Sequence, residues 1–248
     1  MWLIKAHTSQ EAPTSTSGSS SLADYIEQGK VVGIQTSGIR GRIGEVVSAG
    51  KLKTPAIIRS HGGRPRAIEH FTNNPKHFEV SSSEYANPAN KSAYVNKLDF
   101  VVLSALEIDT NFNVNVITGS DGVLRGAPGG HPDTAAGSKC CIIVTPLTRG
   151  RMATVCENVV TITTPGDCVD ILVTDYGIAV NPLRQDLVEC LDKAGVKHMP
   201  IEELKNKAYS LVGTPADLKW EDKVVAIVEA RDGTILDVVR KIKPYTLD

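Results

Sequence analysis

Between Leu106 and Gly150 the chain is dominated by turns. Gly119, Gly122, Gly126, Gly129 and Gly130 fall within a dozen residues that also hold Ser120, Asp121 and Arg125, with His131 and Asp133 just after. Only glycine takes a positive φ or a very close backbone approach at no steric cost. The stretch therefore reads as two strands whose ends carry glycine turns. Such turns can aim several N–H groups at one anion, and a short helix over His131 to Gly137 would add its positive end. One reading is an acyl or carboxylate pocket at Gly129, Gly130 and His131; the other is a plain glycine-rich connection between strands, and spacing alone leaves both open. No dinucleotide or P-loop pattern is complete. His131, Asp133 and Asp121 match no dedicated metal-ligand spacing. Ser120, in GSDG, is not a nucleophile elbow, which would read G-x-S-x-G, so its hydroxyl or backbone reads as a hydrogen-bond donor.

The preceding chain explains what such a pocket would sit on. Residues 1–21 read as a disordered arm, rich in Ser and Thr and poor in large apolar groups. From Leu22, LADYIEQGK predicts a short helix, VVGIQ a strand, RIGEVVSAG a helix and TPAIIRS a second strand. Strand, helix and strand at this spacing suit a parallel βαβ unit. The turns TSGIRG and SHGGRPR would follow the carboxyl ends of the strands, where open α/β sheets bind ligands. Arg40, Arg59, His61 and Arg64, with Gly62 and Gly63, are therefore candidates to face an anion.

Farther on, DFVVLSALEI predicts a strand, and MATVCENVVTITT and CVDILVTDYGIAV predict neighbouring sheet strands. LRQDLVECLDKAG predicts a helix with Leu187, Cys190, Leu191 and Ala194 on its core face. PIEELKNKAYSLVG predicts another, burying Ile201, Leu204, Ala208 and Leu211. Asp232-Gly233 between two β-branched runs is a strong hairpin signal. Glu84 and Glu107 are the carboxylates to inspect for covalent acyl chemistry, with Glu107 expected to point to solvent because an unpaired glutamate is seldom buried.

Composition narrows the partners. A net charge of −1 over 248 residues gives no reason to expect a nucleic-acid partner, since such proteins usually show a basic patch or stripe. No apolar run reaches the length of a membrane span. Five cysteines without zinc spacing read as reduced, buried thiols, which points to a reducing, cytoplasmic compartment.

Several segments together carry a family resemblance: GIQTSGIRGRIGEVVSAG with IIRSHGGRPRAIE, then SSSEYANPANKSAYVN, ALEIDTNFNVNVITGSDG and GGHPDTAAGSK with PLTRGR. The chain resembles the alpha chain of citrate lyase, over about residues 22–69 and 76–243. The resemblance implies a CoA-transferase-like α/β fold (NagB/RpiA type), a sheet with flanking helices. The first domain would lie within residues 22–75 and the second within 76–248. It implies citrate CoA-transferase activity, in which citrate displaces acetate from an acyl thioester. The thioester would sit on CoA or on the phosphoribosyl-dephospho-CoA group of an acyl carrier, with no cofactor bound by this chain itself. The implied partners are a beta (lyase) chain and a gamma (acyl carrier) chain in an oligomeric complex.

Under this resemblance Gly129, Gly130, His131, Ser120 and Asp121 form the acyl-transfer group. Arg40, Arg59, His61, Gly62, Gly63, Arg64, Asn113, Asn115, Gly119 and Gly122 hold the substrate. The chain departs from the family at one place: the family continues long after RAIE before reaching NPKHFEV, whereas here the two join across HFTNN. The first domain is then incomplete, and the opening of the second, where the wider superfamily carries a catalytic glutamate when it uses one, has no counterpart. A non-catalytic scaffold or regulatory subunit keeping part of the fold is the alternative.

Overall fold

The computed structural model describes residues 35–36, 57–58, 80–87 and 89–243. In chain order the elements are β1 (Gln35–Thr36), β2 (Ile57–Ile58), α1 (Ser82–Ala86), β3 (Val101–Leu103), β4 (Glu107–Asp109), β5 (Val114–Asn115), α2 (His131–Gly137), β6 (Cys141–Val144), β7 (Thr148–Arg149), β8 (Met152–Ala153) and β9 (Val155–Cys156). They continue with β10 (Ile171–Val173), β11 (Ile178–Val180), α3 (Gln185–Lys193), α4 (Ile201–Val212), β12 (Trp220–Glu229) and β13 (Ile235–Ile242).

The central sheet has the order β11-β10-β6-β3. Its strands β3, β6 and β10 are parallel, and β11 returns antiparallel at the edge. Strands covered on both faces read as unbroken apolar runs, which is what CIIV and ILV are. Alternation then sorts the side chains. Cys141, Ile143, Leu172 and Ala179 face Ile201, Leu204 and Ala208 of α4, while Ile142, Ile171, Val173 and Ile178 face Leu191 of α3. The α/β class expected from the sequence is the class observed.

Two strand expectations change. DFVVLSALEI does not form one strand: it breaks at Ser104–Leu106, and β4 leaves for a second sheet of order β5-β4-β9. The break is held by side chains, because the Ser104 carbonyl accepts from His131 and the Ala105 carbonyl from Arg149. MATVCENVVTITT does not run beside β10 either. It gives short β8 and β9, and its threonines turn inward, Thr163 Oγ1 donating to the Val114 carbonyl. Leu211 is 47% exposed rather than core; Tyr209 and Val212 take the core contacts of that last turn.

Other expectations hold. Helix α2 spans His131–Gly137, and β12 and β13 pair antiparallel about Gly233, whose φ of 89° needs a glycine. The hairpin is tied to the body where Asp237 accepts from Ile162 N–H at 2.8 Å. β1 and β2 pair in parallel, Gln35 opposite Ile57, as the βαβ pattern requires. The arm at 1–21, the helices between residues 22 and 50, and Arg40, Arg59, His61, Gly62, Gly63 and Arg64 lie outside the described residues.

Close backbone approach pins the loop that enters β10. A Cβ built on Gly166 would lie 1.9 Å from the Asn111 carbonyl oxygen. The Gly166 N–H donates to Asn113 Oδ1 at 2.9 Å, and its carbonyl accepts from Asn181 Nδ2 at 2.8 Å. Gly166→Ala should therefore cost about 3 kcal/mol by forced overpacking, lowering Tm by roughly 6–12 °C for a chain of this size. An unchanged thermal melt would contradict the packing described.

Candidate active site

Parallel strands deliver their following residues to one edge, and three of them end here: β3 before Ser104, β6 before Thr145 and β10 before Thr174. At that edge His131 and Arg149 meet on Ser104. The His131 ring reaches the Ser104 carbonyl with Nε2 at 3.0 Å and the Thr164 hydroxyl with Nδ1 at 2.7 Å. A carbonyl only accepts, so Nε2 carries a hydrogen. With both nitrogens engaged and the residue buried, His131 anchors the start of α2 and is not a free base. Its backbone N–H is also taken, donating to the Pro128 carbonyl at 3.0 Å.

What the glycine turn leaves open is narrower than the sequence suggested. Gly129 has a φ of 53°. The Gly130 carbonyl is fixed by Thr134, which donates from both its N–H (3.0 Å) and its hydroxyl (2.8 Å). The N–H groups of Gly129 and Gly130 donate to no group among the described residues. A Cβ added to Gly130 would stand 3.1 Å from the Tyr85 ring, so the aromatic ring walls this turn. Asp133, in the first turn of α2, is held by Arg231 from the β12–β13 loop through Nε at 3.0 Å and Nη2 at 2.6 Å.

The second group of candidates forms a separate turn. Gly119 N–H donates to the Val123 carbonyl and Gly122 N–H to the Gly119 carbonyl, at 3.1 and 2.7 Å. Gly122, at φ 74°, is required by packing: a Cβ there would overlap Ile242 Cδ1 at 1.8 Å. Asp121 is clamped by both terminal nitrogens of Arg125, which holds its carboxyl below the usual range. Ser120 donates its N–H to Glu107 Oε1. No hydrogen bond among the described residues joins this turn to Gly129–Gly130.

Glu107 overturns the expectation that it points to solvent, since it is 0% exposed. It stands beside Asn115 in the antiparallel register of β5 and, one step back from the Ile108–Val155 pair, beside Thr154. These polar residues form a buried row, in which Glu107 Oε2 and Thr154 Oγ1 have no hydrogen-bond partner among the described residues. Burial pushes the Glu107 carboxyl upward against the pull of the Ser120 hydroxyl and N–H, and the Asp121 charge pushes the same way as burial. The alternation that signalled a strand was correct; what it could not show is that both faces of β4 are covered.

Other candidates are structural. Asn113 gives its amide to Asp109 Oδ2 and its oxygen to Gly166 N–H. Asn115, fully buried, gives its amide to the Thr118 carbonyl and its oxygen to the N–H groups of Ile117 and Thr118. Both side chains are thus engaged within the protein at each end. Glu84 is half of a capping box with Ser81, whose hydrogen bonds lower its pKa. Burial raises the Cys140 and Cys168 thiols to about 12, and those of Cys141 and Cys156 upward as well; none of the four is a ready nucleophile.

One residue at the strand ends escaped the sequence reading. Arg149 places Nη2 on the Ala105 carbonyl (2.7 Å), Thr145 Oγ1 (3.1 Å) and Ser104 Oγ (3.2 Å). The signal available for it was its place in PLTRGR, one of the segments that carry the resemblance, four residues after Thr145 at a tight β7–β8 turn.

The family model for citrate lyase, alpha subunit, matches the chain in two stretches, residues 6–71 and 66–242. The citrate lyase alpha chain of Haemophilus influenzae is 56% identical over 177 residues, which is 71% of this chain and 35% of that protein. A crystal structure of the alpha subunit of citrate lyase from Streptococcus mutans in complex with citrate matches at a TM-score of 0.85 and 38% identity, covering 98% of this chain and 49% of that one. A mutant RipA structure shares the fold at a TM-score of 0.54 and 17% identity, covering 84% of this chain and 51% of that one. The chain thus spans about a third of the length of the Haemophilus relative and half that of the Streptococcus structure.

The buried row makes a solution prediction. The folded-state pKa of Glu107 lies above its unfolded value, so its contribution to stability is greatest below the unfolded pKa, about 4.3, and is lost as pH rises through the folded pKa. Glu107→Gln, which cannot ionise and brings an amide donor toward Thr154, should gain on the order of 1 kcal/mol relative to the parent between about pH 4 and pH 8. Parallel unfolding curves at both pH values, with no change in the difference, would contradict the burial of an ionisable group there.

Proposed function

Because this chain belongs to the citrate lyase alpha subunit family, we propose that it carries the citrate CoA-transferase step. A citrate carboxylate attacks the carbonyl of an acetyl thioester. The acetyl C–S bond breaks, the thiolate re-forms a C–S bond at the citrate carboxyl carbon, and acetate leaves with one oxygen that began on citrate. The products are citryl thioester and acetate, with no net proton change.

The observation that carries this reading is the open pair of N–H groups at Gly129 and Gly130, just before α2 and one residue from the His131 ring that reaches the end of β3. Attack on a thioester develops negative charge on the carbonyl oxygen, and preorganised N–H donors stabilise it without reorganising. The Thr134 clamp on the Gly130 carbonyl and the Arg231–Asp133 pair hold the turn in place. His131 positions it through Ser104 and Thr164. The citrate named in the Streptococcus structure supports the choice of substrate. The thioester is presented on CoA or on the phosphoribosyl-dephospho-CoA arm of a carrier chain, and a lyase chain takes the citryl product onward, in a cytoplasmic complex. Arg40, Arg59 and Arg64 remain candidate partners for citrate carboxylates.

The test is acetate release from acetyl-CoA, or from the acetylated carrier, with and without citrate. Citrate-dependent release supports the reading, and release that ignores citrate overturns it. Gly130→Val, which drives a side chain against Tyr85, should lower that release by about a hundredfold while the far-ultraviolet circular dichroism is kept. Unchanged turnover would remove the oxyanion role of this turn.

A further inference from the structure

Arg149 differs from the other arginines whose partners are described. Arg125, Arg184 and Arg231 each sit on a carboxylate, of Asp121, of Asp170 and Asp186, and of Asp133. Arg149 forms no ion pair among the described residues. Its anchors are neutral: a carbonyl and two hydroxyls, all on Nη2. Nη1 and Nε donate to nothing among the described residues, and the residue as a whole is exposed. The guanidinium is thus fixed by one corner and open on the rest.

Its position gives that openness a direction. The anchors Ser104, Ala105 and Thr145 are the first residues after β3 and β6, at the strand ends where open α/β sheets place ligands. Ser104 works in both directions, its hydroxyl facing Arg149 and its carbonyl facing the His131 ring, and His131 follows Gly130 directly. One residue therefore links the open guanidinium to the turn that offers open N–H groups. Partial burial depresses the Arg149 pKa, with no neighbouring carboxylate to offset it, so the charge sits where an incoming anion would stabilise it. A guanidinium with free donors in a rigid plane suits a carboxylate better than an ammonium does.

We propose that Arg149 binds a carboxylate of the polycarboxylate substrate, beside the turn that receives the thioester carbonyl. The assignment rests on the acyl-transfer reading above and adds to it a substrate-binding residue. Arg149 holds a citrate carboxylate that does not react, and so discriminates a tricarboxylate from smaller acids. The acetyl thioester does not use it.

The test is calorimetric titration of the full chain with citrate and with a dicarboxylate analogue lacking one carboxyl group, for the parent, Arg149→Gln and Arg149→Lys, with a thermal melt of each. Loss of a charge-assisted pair should weaken citrate binding by about tenfold to a hundredfold in Arg149→Gln. The preference for citrate over the dicarboxylate should narrow with it, a change that a loosened loop alone would not produce. Arg149→Lys, which keeps a donor for the Ala105 carbonyl but not the fork, should fall between the two, and it decides the matter if Arg149→Gln melts early. Parent-like citrate affinity in a folded variant overturns the assignment of Arg149 alone. A parent chain that binds no citrate and releases no acetate overturns the acyl-transfer reading, and this assignment with it.

Discussion

The parallel pairing of β3, β6 and β10 is the constraint from which the rest follows. Parallel strands cannot be joined by tight turns, so each must be followed by a long excursion before the next begins. Here the excursions after β3 and β6 contain β4, β5, the glycine turns and α2, and then β7, β8 and β9. Because the three strands run the same way, the starts of those excursions gather at one edge. Ser104 and Thr145 are neighbours for that reason, and Arg149 and His131 are drawn to them by backbone groups that the broken strand leaves unpaired.

The glycine stretch then divides its labour. Gly122 and Gly166 are there because another part of the chain occupies the space a side chain would take, Ile242 in one case and the Asn111 carbonyl in the other. Gly129 and Gly130 are different, since their N–H groups face no partner among the described residues and the Tyr85 ring limits the space at Gly130. The plain-connection reading therefore fits Gly122 and Gly166, while Gly129 and Gly130 keep the open N–H groups on which the proposed anion pocket rests. Glu107 shows why the two must be kept apart: it backs the separate Ser120 turn as a buried, partly unpaired acid, and no hydrogen bond among the described residues joins that turn to Gly129 and Gly130.

Much of the fold was legible in local signals. Apolar runs such as CIIV and ILV marked central strands, Asp232-Gly233 marked the hairpin, and the His131–Gly137 helix matched its element residue for residue. The misses share a cause, which is side chains competing with the backbone. Ser104, Ala105, Thr163 and Thr164 have β-compatible neighbours, yet their polar groups bond to long-range partners 27 to 49 residues away. Periodicity has no term for that. Asn113 and Asn115 looked like substrate ligands because they stand in a matched motif, whereas in the fold they make the internal bonds that shape it. Arg149 lies in the matched segment PLTRGR yet was not singled out, because its anchors Ser104, Ala105 and Thr145 come from two strand ends that only the sheet order brings together.

The central claim is that acetate leaves by exchange with a citrate carboxylate at this strand edge, and not by hydrolysis. The most direct measurement is mass spectrometry of the acetate released when the chain turns over acetyl thioester in ordinary water with citrate whose carboxylates carry heavy oxygen. Exchange predicts one heavy oxygen in each acetate formed, carried over from citrate. Acetate containing only the oxygen of the solvent and of the original acetyl carbonyl would contradict the account.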